Sequence, residues 1–184
     1  QVLQGLAAAH EAGMVHRDLK PENVMLVKTA WEPDHVKVLD FGLAKIVGGS
    51  EAMKLSRTNT AYGTVHYMAP EQVVGAKVDA RADLCPIGVM LYHIYTGYRP
   101  FDAESAPIVM FQHVHRDVPE LPDSVPVGIR SFIYKALRKR PSERFGSAME
   151  MLEALDLAMA QPDQEIPGGE RPKGIPNPQG PGPG

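Results

Sequence analysis

The sequence predicts an α+β fold, mainly α-helical, with one short β-ribbon near its front. Three observations carry that expectation: several stretches with apolar residues three and four apart, only two short runs rich in β-branched residues, and a polar, aperiodic segment of about twenty residues between them and the later helices. Composition bounds what such a fold can do. The 184 residues hold 19 Lys and Arg against 22 Asp and Glu, a formal net charge of −3, which argues against a polybasic nucleic-acid or membrane-surface binder. A hydrophobic content of 43% suffices for a core. The lone Cys85 excludes an internal disulfide and a cysteine zinc cluster, and fits a reducing, cytoplasmic compartment. No run approaches the roughly eighteen apolar residues of a membrane span, and no signal-peptide pattern opens the chain, so this segment is expected to make no membrane contact.

Each element has its own local reason. Val2, Leu3, Leu6 and the alanines to Ala9 follow helical spacing, and Gly13 suits the left-handed residue that ends a helix. Asn23 to Val27 and Val36 to Leu39 read as two strands of an antiparallel ribbon, joined by a loop with Trp31 and Pro33. Gly48 to Tyr67 is hydroxyl-rich and without period, the mark of a functional loop. Helical patterns return at Ala82 to Thr96, Ala106 to His113, Gly128 to Leu137 and Ser147 to Met159. The last 24 residues contain 7 Pro and 6 Gly, so 161–184 reads as a disordered tail or linker after a domain-sized unit over 1–160.

Chemistry concentrates between the first helix and the ribbon. His16-Arg17-Asp18-Leu19-Lys20-Pro21-Glu22-Asn23 is an H-R-D-L-x-x-x-N pattern, Asp40-Phe41-Gly42 follows at the end of the second strand, and Ala69-Pro70-Glu71 closes the long loop. Any one alone reads as an ordinary surface pair or turn; three in order, each in the right context, do not. The chain therefore resembles a eukaryotic-like serine/threonine protein kinase over about residues 1–158, specifically a C-terminal lobe of protein kinase-like (α+β) fold. Lys20-Pro21-Glu22-Asn23 resembles the serine/threonine rather than the tyrosine type, and His10-Glu11-Ala12-Gly13 with Pro70-Glu71-Gln72 resembles the bacterial enzymes.

Phosphoryl transfer to an alcohol needs a carboxylate beside the hydroxyl, oxygen ligands for Mg²⁺, and positive charge at the transferred group. The resemblance implies ATP and Mg²⁺ as cofactors and protein substrates with Ser or Thr acceptors. Asp18 is the candidate base, Lys20 the cation at the phosphate, and Asn23 and Asp40 the Mg²⁺ ligands, with Met25 under the adenine. Thr64 is expected to contact Asp18 and Lys20. Arg17, beside the catalytic Asp18, is a ready partner for a phosphate on the long loop, where Ser56, Thr58 and Thr60 are the candidate acceptors and Thr58 is favoured by lying six residues before Thr64. Asp83 resembles the buried aspartate that holds the catalytic-loop backbone, and Glu71 with Arg144 matches a structural ion pair. A homodimer for trans-autophosphorylation in the full protein is a further implication. His115-Arg116-Asp117 repeats the tripeptide without the downstream Lys and Asn and reads as an exposed loop; His113 and His115 lack a third ligand for a metal.

Some features depart from the family pattern. Pro86 follows Cys85 near a helix start, where it is tolerated in the first turn and kinks the helix if deeper, and Arg140-Pro141 stands where Asp-Pro is commoner. More consequentially, the glycine-rich loop, the Val-Ala-x-Lys strand and the glutamate helix of the N-terminal lobe do not occur in these residues. With Gln1 inside a helical pattern, the expectation is a piece of an ordinary kinase, with little or no activity by itself. The alternative is a non-catalytic kinase-like interaction module. A small-molecule phosphotransferase of related fold is disfavoured by the long segment ending in Ala69-Pro70-Glu71.

Overall fold

A computed structural model describes residues 1–29, 33–41 and 62–171. Helix α1 (Val2–Glu11) ends as its glycine requires: Gly13 adopts φ 75°, its N–H donates to His10 O at 2.9 Å, and Met14 N–H donates to Ala9 O at 2.9 Å. After the loop that follows α1 and a 3₁₀ turn at Pro21–Asn23, strands β1 (Val24–Val27) and β2 (His35–Val38) pair antiparallel, with Val24 opposite Val38 and Val27 opposite His35. Leu39 N–H donates to Asn23 O at 2.8 Å, which carries the pairing one step further and sets Asp40 just beyond Asn23's partner.

Two four-residue helices follow, α2 (Tyr62–Val65) and α3 (Pro70–Val73), then a 3₁₀ turn at Ala80–Asp83 leading into α4 (Leu84–Thr96). Beyond them come α5 (Ala106–His115), α6 (Val127–Ala136), a 3₁₀ turn at Pro141–Glu143, and α7 (Ala148–Ala160). Helix α4 is the centre: Leu84, Cys85, Pro86, Ile87, Gly88, Val89 and Tyr92 are all buried, as expected of a helix whose first two turns are apolar on every side. Pro86 is its third residue, within the first turn where no intrahelical partner is needed, so no kink arises from it. Gly88 lets α4 lie against α6, because a Cβ there would stand 2.8 Å from Ala136 Cβ. Helix α7 closes the core over both α1 and α6. A smaller apolar cluster of Val65, Met68 and Val109 joins the α2–α3 segment to α5.

The half-buried Lys139 ammonium donates to His113 O at 2.8 Å at the end of α5 and lies 4.2 Å over the Phe101 ring. Burial pushes it down to about 8.

The structure differs from the linker expectation over residues 161–171. That stretch turns back over α6: Gly128 N–H donates to Pro162 O at 2.8 Å, and Ile166 is 3% exposed. Its glycines and prolines read as disorder by composition, yet Ile166 supplies an apolar anchor and Gly169 a position without a side chain. Residues 172–184 lie outside the described residues.

Candidate active site

The loop between α1 and β1 is held from below by one carboxylate. Asp83, 1% exposed at the head of α4, accepts His16 N–H on Oδ2 and Arg17 N–H on Oδ1, both at 2.8 Å, and His10 Nε2 lies 2.8 Å from Oδ2. Ionised carboxylates make the stronger hydrogen bonds, and satisfying buried backbone donors is what keeps a loop in one conformation. Arg17, at φ 65°, and Asp40, at φ 58°, both adopt left-handed backbone that costs a non-glycine residue free energy and persists where surroundings fix it. Asp83 supplies that surrounding for Arg17, together with Gln72 Nε2, which donates to Arg17 O at 2.6 Å.

His16 ties the loop to the ribbon. Its Nε2 lies 2.7 Å from Leu39 O and its Nδ1 accepts Asp18 N–H at 3.2 Å. A carbonyl only accepts and an amide only donates, so this network assigns the neutral ring with its proton on Nε2. His16 is thus a structural hydrogen-bonding residue, with its ring edge-on to Phe41 at 4.8 Å.

The residues singled out for chemistry gather around this frame. Lys20 Nζ donates to Asp18 Oδ2 at 3.1 Å and to Thr64 Oγ1 at 3.0 Å, so one ammonium joins the loop to the end of the long segment. Thr64 meets Lys20 directly, and no Asp18–Thr64 hydrogen bond occurs among the described residues. Asn23 Nδ2 donates to Asp18 O at 2.7 Å, which turns the amide so that its oxygen is not engaged with the loop. Asp18 Oδ1 is shielded from solvent and has no hydrogen-bond partner among the described residues. Asp40 is exposed at the end of β2, and Met25 is 46% exposed on β1. Arg17 is exposed, with no side-chain hydrogen bond or ion pair among the described residues. Thr58 and Thr60, like Ser56 and Gly42, lie outside the described residues.

Glu71 and Arg144 meet in a buried, bidentate pair, with both N–H···O distances 2.7 Å and side chains 6% and 0% exposed. Arg144 also donates to the carbonyls of Arg138 at 2.7 Å, Arg81 at 3.3 Å and Lys139 at 3.1 Å. All five guanidinium hydrogens are therefore engaged, the condition under which a buried cation is tolerable.

Reading the sequence alone did not find the roles of His10 and Gln72. Gln72 Oε1 accepts Ala69 N–H at 2.9 Å at the start of α3, while its Nε2 reaches Arg17 O. A polar residue three positions into a helix is the only local signal for that bond, and nothing in the spacing points His10 at Asp83.

A loop carrying Asp, Lys and Asn is thus backed by a buried aspartate, with a second aspartate at a strand end. Residues 1–155 match the protein kinase domain family, and the chain belongs to it. It is 43% identical over 154 residues, 80% of the chain, to the serine/threonine-protein kinase pkn3 of Myxococcus xanthus. It is 38% identical over 183 residues, 97% of the chain, to serine/threonine-protein kinase pkn2 of the same bacterium. To the serine/threonine-protein kinase PknL of Mycobacterium tuberculosis it is 37% identical over 172 residues, 90% of the chain. The chain spans 28%, 22% and 41% of the lengths of these three relatives. No helix among the described residues is long and apolar enough to cross a membrane.

Proposed function

We propose that these residues form the C-terminal lobe of a protein serine/threonine kinase, and that the whole protein transfers the γ-phosphoryl group of ATP to Ser or Thr hydroxyls of protein substrates. The observation that carries the reading is the Asp18–Lys20–Thr64 arrangement, with Lys20 Nζ spent on Asp18 Oδ2 and Thr64 while Asp18 Oδ1 is left unpartnered. A carboxylate oxygen held in this way suits an incoming hydroxyl, which it orients and whose proton it accepts.

The donor set also fits a nucleotide-bound Mg²⁺. Asp40 offers an exposed carboxylate and Asn23 a neutral amide oxygen, the hard ligands this ion takes, and pairing through Leu39 and Asn23 keeps the two on adjoining backbone. Bound there, the metal ion would neutralise charge on the phosphates. Lys20 adds a cation beside Asp18, Met25 offers an apolar surface for a base, and Asp83 keeps the loop from shifting. Arg17, exposed and without a side-chain partner among the described residues, would pair with a phosphate carried by Thr58 or Thr60 and so order the activation segment. A reaction that consumes ATP is consistent with a cytoplasmic site of action.

The isolated 184-residue chain is expected to turn over little, because phosphate-gripping groups of the other lobe are not among its residues. The test is to incubate the full-length gene product with γ-labelled ATP, Mg²⁺ and a Ser/Thr-rich acceptor protein, then to hydrolyse the product and identify the labelled amino acid. Label on phosphoserine or phosphothreonine is the expected result. No transfer, or transfer to tyrosine alone, overturns the proposal; normal turnover by residues 1–184 alone overturns the expectation for the fragment.

A further inference from the structure

The segment after α7 is seated by contacts of five kinds on α6 and the turn that follows it. Main chain meets main chain where Gly128 N–H donates to Pro162 O at 2.8 Å. A buried side chain reads the segment where Ser131 Oγ accepts Ile166 N–H at 2.7 Å while donating to Gly128 O at 3.0 Å. Arg138 grips it from below, its guanidinium donating to Gly168 O at 3.1 Å and Glu170 O at 2.6 Å. Close approach completes the fit: a Cβ on Gly169 would lie 2.2 Å from Ser131 O, and one on Gly128 would lie 3.0 Å from Gln164 O. Backbone oxygens cannot yield as a flexible side chain does, so glycine is required at 169, whereas at 128 a side chain would need the facing backbone to give by a few tenths of an ångström. Ile166, 3% exposed, fills the remaining apolar space.

Arg138 has a second duty. Its own carbonyl accepts Arg144 Nε at 2.7 Å, and Arg144 is the buried partner of Glu71 at the start of α3. The segment, Arg138, Arg144 and Glu71 thus form an unbroken chain of hydrogen bonds from the end of the described structure to the segment that faces Lys20.

We infer that residues 161–171 are a docked strap, part of the folding unit, whose seating on α6 steadies the Arg138–Arg144–Glu71 linkage and through it the α3 end of the activation segment. The folding unit then extends past α7 at least to residue 171. This inference does not depend on the chain's catalytic activity. An Arg138 held by two strap carbonyls presents its own carbonyl to Arg144 in one orientation; an undocked strap leaves that guanidinium in solvent and the 138–144 turn with fewer restraints.

The test is amide hydrogen exchange on the 184-residue chain, comparing wild type, Gly169→Val and the milder Arg138→Gln. In the wild type the Gly128, Ile166 and Gly169 amides should exchange at least about tenfold more slowly than in a free peptide of the same sequence. Gly169→Val should abolish that protection and also speed exchange at Gln72 and Ala76 in and after α3, with the α4 amides unchanged; Arg138→Gln should do the same to a smaller extent. Free-peptide exchange at Ile166 in the wild type overturns the strap. Loss of strap protection with Gln72 and Ala76 unmoved in both variants overturns the linkage to Glu71. Should Gly169→Val lose α4 protection as well, Arg138→Gln decides by the same two criteria.

Discussion

Replacing Glu71 by Gln removes one charge from the buried pair without changing its shape. In the wild type Arg144 places five N–H groups on five acceptors, two of them the Glu71 carboxylate oxygens at 2.7 Å, with its side chain 0% exposed. The variant keeps an amide oxygen for one of those hydrogens, turns an NH₂ toward the other, and leaves the guanidinium with that oxygen and three backbone carbonyls, all of them neutral. Stranding a buried charge in this way costs about 3 to 5 kcal/mol, a large part of the 5 to 15 kcal/mol that holds a typical domain together. For a domain of this size each kcal/mol moves the melting temperature by about 2 to 4 °C, so calorimetry should find Tm lowered by about 6 to 20 °C. Replacing both partners, Glu71→Gln with Arg144→Met, should recover part of the loss because no cation is then left buried. A Glu71→Gln midpoint within about 2 °C of wild type would refute the reasoning, since it would mean less than about 1 kcal/mol resides in the charge.

Other expectations follow from the same geometry. His113 is fully buried against Phe101, and burial pushes its pKa down to about 3. Below the ordinary histidine value near 6.5 the unfolded chain takes up a proton that the folded chain refuses, so stability is complete above that pH and falls by about 1.4 kcal/mol per unit as pH drops toward 3. Urea unfolding of His113→Leu should show a correspondingly flatter pH dependence between 6.5 and 5, and an unchanged slope would contradict this. Asp83→Asn should cost about 1 to 3 kcal/mol and raise exchange at the His16 and Arg17 amides, which lose a charged acceptor; unaltered exchange there would remove Asp83 as the loop's anchor. Gly88→Val should destabilise by about 1 to 3 kcal/mol or more by forcing α4 away from Ala136, measurable as a lower urea midpoint with unchanged m-value, and a neutral effect would contradict the close packing.

Much of this arrangement was legible before any coordinates. Helices α4 to α7 announce themselves because each has enough turns to repeat an apolar spacing, and the ribbon because β-branched residues cluster on both sides of a loop. Helices α2 and α3 have four residues each, too few to show a period, and form where the Thr64 and Gln72 side chains find partners far away in the chain. The site's loop was readable because its residues sit close together in sequence, as Asp18, Lys20 and Asn23 do. His10 was not, since its meeting with Asp83 spans 73 positions and no local pattern encodes it. The segment over 161–171 was misread for a different reason: glycine and proline signal flexibility by composition, but Gly169 is there because Ser131 O leaves no room for a Cβ.

The central claim is that Asp18 accepts the proton of a substrate hydroxyl during transfer from ATP. The most direct measurement compares single-turnover phosphorylation by the full-length gene product with that of its Asp18→Asn variant, after circular dichroism and Mg²⁺-ATP binding have been matched. Removing a positioned general base should slow transfer by about 10² to 10⁴-fold while leaving nucleotide affinity within a few-fold. An Asp18→Asn protein that transfers phosphate at the wild-type rate would contradict the account.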